Sequence, residues 1–213
     1  MLPSGESIVM LQNRVDPFGN IIKTSARGLL MGNRGLLHNE RKELLRPYKL
    51  HAWITCKLEF KNRRRQVMTR GLYTELFFMD EATSFAAGHR PCFECRRSEA
   101  ENFKTCWIKA HPEYGFHSRT SIRHIDDIIH NQRISNQNHK ITYQENVDTL
   151  PDGTFVVFDD EPYLIKSRRL LQWTPFGYEK IIPISECEML KVLTPRSIVN
   201  AFRAGYVPDM NTA

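Results

Sequence analysis

The chain has 213 residues, of which 41% are hydrophobic and 25% charged, a composition typical of a globular protein with a sizeable core. No run of about eighteen apolar residues predicts a membrane span, and the N-terminus lacks a secretory signal, so we expect a cytoplasmic protein with no membrane partner. Five unevenly spaced cysteines argue against a disulfide framework, because an odd number cannot all pair.

Positive charge is concentrated in the first half of the chain. The net charge is +6, and residues 27–70 contain 12 Lys and Arg against three Glu. This density favours a polyanionic partner, most commonly nucleic acid, with DNA in preference to RNA. The alternative is a solvated, arginine-rich surface that only keeps the protein soluble.

The first distinctive segment in chain order is a loop rich in glycine. Gly32, Asn33, Arg34 and Gly35 could present backbone N–H groups and an arginine side chain to a phosphate. The segment matches neither a P-loop nor a dinucleotide-binding fingerprint, so an ordinary turn is the alternative.

A basic β-hairpin is predicted next. Residues 53–61 alternate apolar and polar side chains, with Cys56 on the buried face, and residues 65–69 can return as the second strand. We predict that arginines of this hairpin and of a later segment contact nucleic-acid phosphates. These residues are Arg63, Arg64, Arg65, Arg96 and Arg97.

Three helices are predicted in the middle of the chain. Asp80 is the expected N-cap of the first helix, which stops at Gly88. A second helix follows Cys95 and ends before Pro112. The third is predicted over residues 122–132, where isoleucines recur at helical spacing.

The last third of the chain has a β-rich pattern. Three short strands between residues 154 and 174 predict a small antiparallel sheet or partial barrel, and Thr194 is the expected N-cap of a final helix that stops at Gly205. We therefore predict an α+β fold. Residues 1–115 form a basic, zinc-stapled hairpin and helix module, and residues 116–213 form a helix and the β-rich half, both packed as one unit.

Cys92 and Cys95 are the strongest chemical signal. Two cysteines separated by two residues in a turn can bind one zinc ion, which prefers four thiolate or imidazole ligands in a tetrahedron. We predict Cys56 as the third ligand and His51 as the fourth. The cysteine pair could instead be a redox disulfide beside a helix N-terminus. His89, Cys106 and His111 compete with His51 for the fourth position.

The segment around the cysteine pair resembles the Ada-type zinc domain, a module that repairs DNA methylphosphotriesters. In that family two upstream ligands complete a four-thiolate zinc site, and one upstream thiolate accepts the methyl group. This chain has only Cys56 upstream, so the resemblance implies zinc binding rather than methyl transfer. The matching residues are Phe77, Phe78, Glu81, Ala82, Gly88, Arg90, Pro91, Cys92, Cys95 and Arg96, with His89 where an aromatic residue is usual.

Over its whole length the chain also resembles a family of uncharacterised bacterial proteins of similar size. The resemblance is carried by residues 31–35, residues 73–78, the cysteine-pair region and residues 193–206. It implies no reaction, and it supports the metal site alone.

The third predicted helix carries acidic, imidazole and guanidinium groups, which suggest an alternative function. Asp126 and His130 are four residues apart, and Asp127 is three residues before His130, so either carboxylate could orient the imidazole. With Arg133 as a phosphate clamp, these groups could form the site of a phosphodiesterase-like hydrolase. The remaining alternative is a zinc-stapled scaffold without a role in nucleic-acid binding.

Overall fold

The computed structural model describes residues 10–62, 66–184 and 189–212. It shows a mixed α+β protein with two six-stranded sheets, and within the described residues it has four α-helices. The predicted fold class and the closing helix are confirmed at this level. Arg63, Arg64, Arg65 and Cys187 lie outside the described residues.

The first sheet is built from short strands of the N-terminal half. Its order is β2-β1-β5-β3-β4-β6, and the pairs β1 with β5 and β4 with β6 are parallel, whereas the others are antiparallel. The strands are β1 Gln12–Val15, β2 Ile21–Lys23, β3 Leu30–Asn33, β4 Ile54–Cys56, β5 Leu76–Phe78 and β6 Arg90–Pro91.

The predicted basic hairpin is wrong in its strand pairing. Strand β4 pairs with β3 on one edge and β6 on the other, and residues 66–69 form a turn and irregular backbone rather than a returning strand. Gly32 helps to explain why β4 pairs with β3, because a Cβ at residue 32 would lie 2.3 Å from the Phe78 ring. Only glycine lets β3 pack closely against β5 and offer its other edge to β4.

The second sheet is antiparallel throughout, as the sequence predicts. Its order is β11-β10-β9-β8-β12-β7, and two-residue turns with positive φ at residues 159–160 and 167–168 join consecutive strands. Turns of this hand match the twist of the strands they connect. The strands are β7 Tyr143–Asn146, β8 Phe155–Phe158, β9 Glu161–Lys166, β10 Arg169–Thr174, β11 Gly177–Pro183 and β12 Met189–Val192.

The helices form where the sequence predicts them, but the N-cap of the last helix is Pro195 rather than Thr194. Asp80 caps the first helix by accepting a hydrogen bond from the Thr83 N–H at 2.8 Å. Thr194 caps nothing, because its hydroxyl accepts from the Phe155 N–H at 2.9 Å and joins the last helix to the second sheet. None of the described helices is long and apolar enough to cross a membrane. The helices are α1 Glu81–Ala86, α2 Arg97–Ala110, α3 Ile122–Arg133 and α4 Arg196–Arg203.

Apolar packing joins the two halves of the chain. Phe85 and Phe103 from the first half pack in one buried cluster with Ile125 and Phe202 from the second. Such shared clusters bury surface that neither half could bury alone.

Two acidic residues at the start of α1 hold the end of the chain. The Glu81 carboxylate accepts hydrogen bonds from the Tyr206 hydroxyl at 2.8 Å and the Asp209 N–H at 2.9 Å. Asp80 accepts from the Asn211 N–H at 3.1 Å. Because Glu81 also forms a 2.6 Å ion pair with Arg96, the tail is connected to the turn that precedes α2.

Candidate functional site: a centre of three cysteines

Cys56, Cys92 and Cys95 converge because of one parallel strand pair. In the pairing of β4 with β6, Ile54 lies opposite Arg90, and the Cys92 N–H donates to the Thr55 carbonyl at 3.0 Å. The same register brings the end of β4 beside the residue that follows β6. The three sulfur atoms lie within 4.8 Å of one another, so the predicted convergence is confirmed.

The three thiols are buried among apolar side chains. Each of them is less than one-tenth exposed, and Met31, Ile54 and Phe60 pack against the cluster. The Glu94 N–H donates a hydrogen bond to Cys92 Sγ at 3.3 Å. Hydrogen bonds from Cys56 and from backbone N–H groups lower the pKa of Cys92, whereas burial raises the pKa of Cys95. One thiolate is therefore favoured before any metal binds.

This arrangement fits a thiophilic metal ion. Zinc–sulfur bonds of about 2.3 Å in a tetrahedron place the sulfurs roughly 3.8 Å apart, and sulfurs within 4.8 Å reach that spacing through small rotations. All four described cysteines are free thiols, and three of them belong to this cluster. Soft thiolate sets of this kind select zinc over hard cations such as magnesium.

The structure does not bring His51 into the cysteine centre. Its Nδ1 lies 2.8 Å from Asp127 Oδ1, and its ring stacks on His130 with 3.9 Å between ring centroids. The predicted fourth ligand is therefore wrong in this structure, because His51 precedes β4 and packs on α3 instead.

The competing fourth ligands also lie elsewhere. Cys106 packs in the apolar core beside Phe103 and Trp107. His111 Nδ1 lies 2.8 Å from the Trp107 carbonyl, and His89 Nε2 accepts from Arg34 Nε at 3.2 Å. Among the described residues, the His, Cys, Asp and Glu side chains that could hold a metal ion at this centre are the three cysteines.

The predicted catalytic pair does not form. Asp126 accepts from Arg90 Nε at 2.8 Å and from Arg90 Nη2 at 2.7 Å, and both side chains are buried. His130 Nδ1 instead lies 2.8 Å from Arg133 Nη2, and burial and the Arg133 charge lower the pKa of His130 to about 4. Asp127, the other predicted partner, lies 2.8 Å from His51 Nδ1 instead, so in the described part of the chain neither predicted carboxylate orients the His130 imidazole as a base. No local spacing signals Arg90, which is 36 residues away from Asp126.

The arginines predicted to contact nucleic acid fall into different environments. Arg96 is buried, with Nη2 at 2.6 Å from Glu81 and Nε at 3.4 Å from Glu99. The prediction for Arg96 is therefore wrong, because an internal carboxylate already occupies its guanidinium. Arg97 is 72% exposed, and within the described part of the chain its Nη1 lies 3.4 Å from Glu101 Oε1, so its contact with a phosphate stays a prediction.

Comparisons with known proteins add no further constraint. No family model, curated protein or solved structure matches the chain. The resemblance to the Ada-type zinc domain therefore stays a prediction.

Proposed function

We propose that the protein binds one zinc ion through Cys56, Cys92 and Cys95 and that the ion has mainly a structural role. The observation that carries this proposal is the convergence of three buried sulfurs from two separate parts of the chain. A redox pair needs only Cys92 and Cys95, whereas a third thiol within bonding reach of the same point favours a metal.

The surroundings of the cysteines support a structural role. A zinc ion there ties the end of β4, a strand of three residues, to the turn after β6 and to the start of α2. Strand β6 has two residues and lies at the edge of the sheet. Three thiolates and one divalent ion leave a single negative charge. Helix α2 begins two residues after Cys95, and its N-terminal dipole stabilises that charge.

Metal analysis of purified protein tests the proposal, and Cys106 provides a matched control. We expect about one equivalent of zinc in the wild-type protein and in Cys106→Ser, and less than about half an equivalent in Cys92→Ser and Cys56→Ser. Cys106 is a buried cysteine outside the centre, so its replacement controls for the loss of any buried thiol. Zinc content that is unchanged in Cys92→Ser, or equally reduced in Cys106→Ser, contradicts the proposal.

The second candidate function is contact with nucleic-acid phosphates, DNA in preference to RNA. It is supported by the charge of residues 27–70 and by three exposed cations that follow the cysteines closely in the chain. These cations are Lys57, Lys61 and Arg97.

Binding to duplex DNA across a salt series tests this second function. We expect the logarithm of the affinity to fall linearly with the logarithm of salt concentration, and Arg97→Gln to reduce the slope by about 1. Arg119 is exposed and lies outside both regions, so Arg119→Gln is the control and should leave the slope unchanged. Affinity that does not respond to salt, or equal effects of the two substitutions, counts against phosphate contacts.

A further inference from the structure

A cavity of about 410 Å³ lies away from the cysteines, between the turn that joins β1 to β2 and the end of α3. Four cationic side chains line it, and none of the described acidic residues does. Arg34 belongs to the glycine-rich loop, Arg133 ends α3, and Arg46 and Lys140 come from neighbouring loops.

Two of these cations are deeply buried around one tryptophan. Arg34 and Arg133 are 1% and 2% exposed. Their guanidinium carbons each lie 3.8 Å from the centroid of a Trp53 ring. The cation–π contacts stabilise each guanidinium, but they hold two positive charges close together. This crowding raises the free energy of the empty site.

Among the described residues, no carboxylate forms an ion pair with the inner cations Arg34, Arg133 and Lys140. Arg34 Nη2 and Arg133 Nε have no hydrogen-bond partner among the described residues. Arg34 Nη1 donates to the Gly19 carbonyl at 3.0 Å, Arg133 Nη1 donates to the Gly88 carbonyl at 2.8 Å, and Lys140 Nζ donates to the Ala86 carbonyl. Neutral carbonyls satisfy donors without cancelling charge, so the burial of these cations is costly unless an anion is bound.

The Asp16 carboxylate does not balance the charge of the inner cations. Asp16 acts on Arg34 and Lys140, but its own oxygens accept hydrogen bonds from Asn20 at 2.9 and 3.0 Å. Asp126 is already paired with Arg90. Three inner cations set against one carboxylate leave an excess of about two positive charges, which matches a phosphate monoester near neutral pH.

We propose that this cavity binds a small molecule that carries a phosphate monoester. The inner cations Arg34, Arg133 and Lys140 face the phosphate, and Arg46 acts at the exposed rim. The volume exceeds what a free phosphate needs and lies in the range of small-ligand sites. Phe18, Leu44 and Pro47 provide apolar walls for the organic part of the ligand.

Calorimetric titration of the zinc-loaded full chain at low salt tests the proposal. The probes are ribose 5-phosphate, inorganic phosphate and ribose. We expect ribose 5-phosphate to bind most tightly, inorganic phosphate to bind more weakly, and ribose not to bind. Equal affinity for both phosphates would overturn the assignment of an organic ester, and no saturable binding of either would overturn the anion site itself.

Two variants and one control assign the binding to this cavity. Lys140→Gln keeps a hydrogen-bond donor but removes the charge, and Arg46→Gln changes an exposed residue, so that the fold is retained in at least the latter. Each should weaken ribose 5-phosphate binding, by about tenfold for Lys140→Gln and less for Arg46→Gln. The exposed Arg119 lies outside the cavity, so Arg119→Gln should have no effect. Equal weakening in all three variants would show diffuse surface attraction and overturn the proposal.

Discussion

The two sheets of this protein differ in the side chains that they bury. Among the described residues, every fully buried acidic or arginine side chain lies before residue 134, in the first sheet or in the helices and loops beside it. The second sheet instead packs a continuous apolar cluster, which includes Val156, Leu170 and Val192. The buried charged residues are Arg34, Glu75, Asp80, Glu81, Arg90, Arg96, Asp126 and Arg133.

This difference shows where specificity resides. Apolar packing tolerates substitution when volume is conserved, whereas a buried charge has to find its own partner. The first sheet also has the shorter strands and carries both proposed sites, the cysteine centre and the cationic cavity. Both proposed sites therefore rest on the polar interior beside the first sheet, whereas the second sheet contributes an apolar cluster.

The largest expected loss of stability comes from removing one partner of a buried ion pair. Asp126→Leu leaves the Arg90 guanidinium buried without its carboxylate, so we expect the free energy of unfolding to fall by about 3–5 kcal/mol. Chemical denaturation of the wild-type and variant proteins measures the loss.

The double variant Arg90→Met/Asp126→Leu is the control for this prediction. It removes both charges together, and it should therefore be more stable than Asp126→Leu alone. If the double variant is no more stable than Asp126→Leu, the two charges are not coupled, and the contrast between the two sheets is weaker than the geometry implies.

An intermediate effect is expected from truncation in the second sheet. Leu170 is 1% exposed in β10, and Leu170→Ala should lower the free energy of unfolding by about 2–5 kcal/mol by leaving a cavity. Ile181 on β11 is 57% exposed, so Ile181→Ala is a matched control and should change stability by less than about 0.5 kcal/mol. Zinc removal should leave the cost of Leu170→Ala unchanged, and a cost that varies with zinc would show that the sheets are not energetically separate.

The smallest predicted effect is a pH dependence of anion binding in the cationic cavity. Burial and the charges of Arg34 and Arg133 lower the pKa of Lys140 to about 7, against the opposing effect of Asp16. His89 also faces this cluster, and burial keeps its pKa well below the usual value, so it stays neutral. Above pH 7 the empty site has lost the Lys140 proton and must regain it to bind an anion.

Sulfate is a suitable probe because its charge is constant in this pH range. We expect sulfate affinity to be constant below pH 7 and to fall by up to about tenfold per pH unit above it. Lys140→Met should bind more weakly at pH 6.5 and lose this dependence. A wild-type affinity that is flat from about pH 6 to 9 would rule out Lys140 as the titrating group.

Local signals in the sequence predict the elements of this fold better than their partners. The Asp80 cap and the isoleucine spacing of α3 act over a few residues, so both helices could be predicted. The strand at Cys56 could also be predicted, but its neighbours could not, because Gly32 and the cysteine turn select them from a distance.

The candidate sites show the same limit. The spacing of Cys92 and Cys95 indicates a metal site, and the choice of Cys56 as a third ligand is confirmed as a spatial convergence. Asp126 illustrates the failure, because its distant partner Arg90 competes successfully with His130. Nothing in the sequence around Lys140 indicates that it meets Arg34 in a cavity.

The contacts between α1 and the tail also constrain the order in which the protein folds during synthesis. Helix α1 contains residues 81–86, yet Glu81 binds Tyr206 and Asp209, and the Ala82 N–H donates to the Asp209 carbonyl at 3.1 Å. The segment next to the cysteines thus leaves the ribosome before its partners and cannot complete its hydrogen bonds until residues 206–211 emerge. Contacts so distant in sequence form slowly, so we expect α1 to reach its final hydrogen bonding only late in folding.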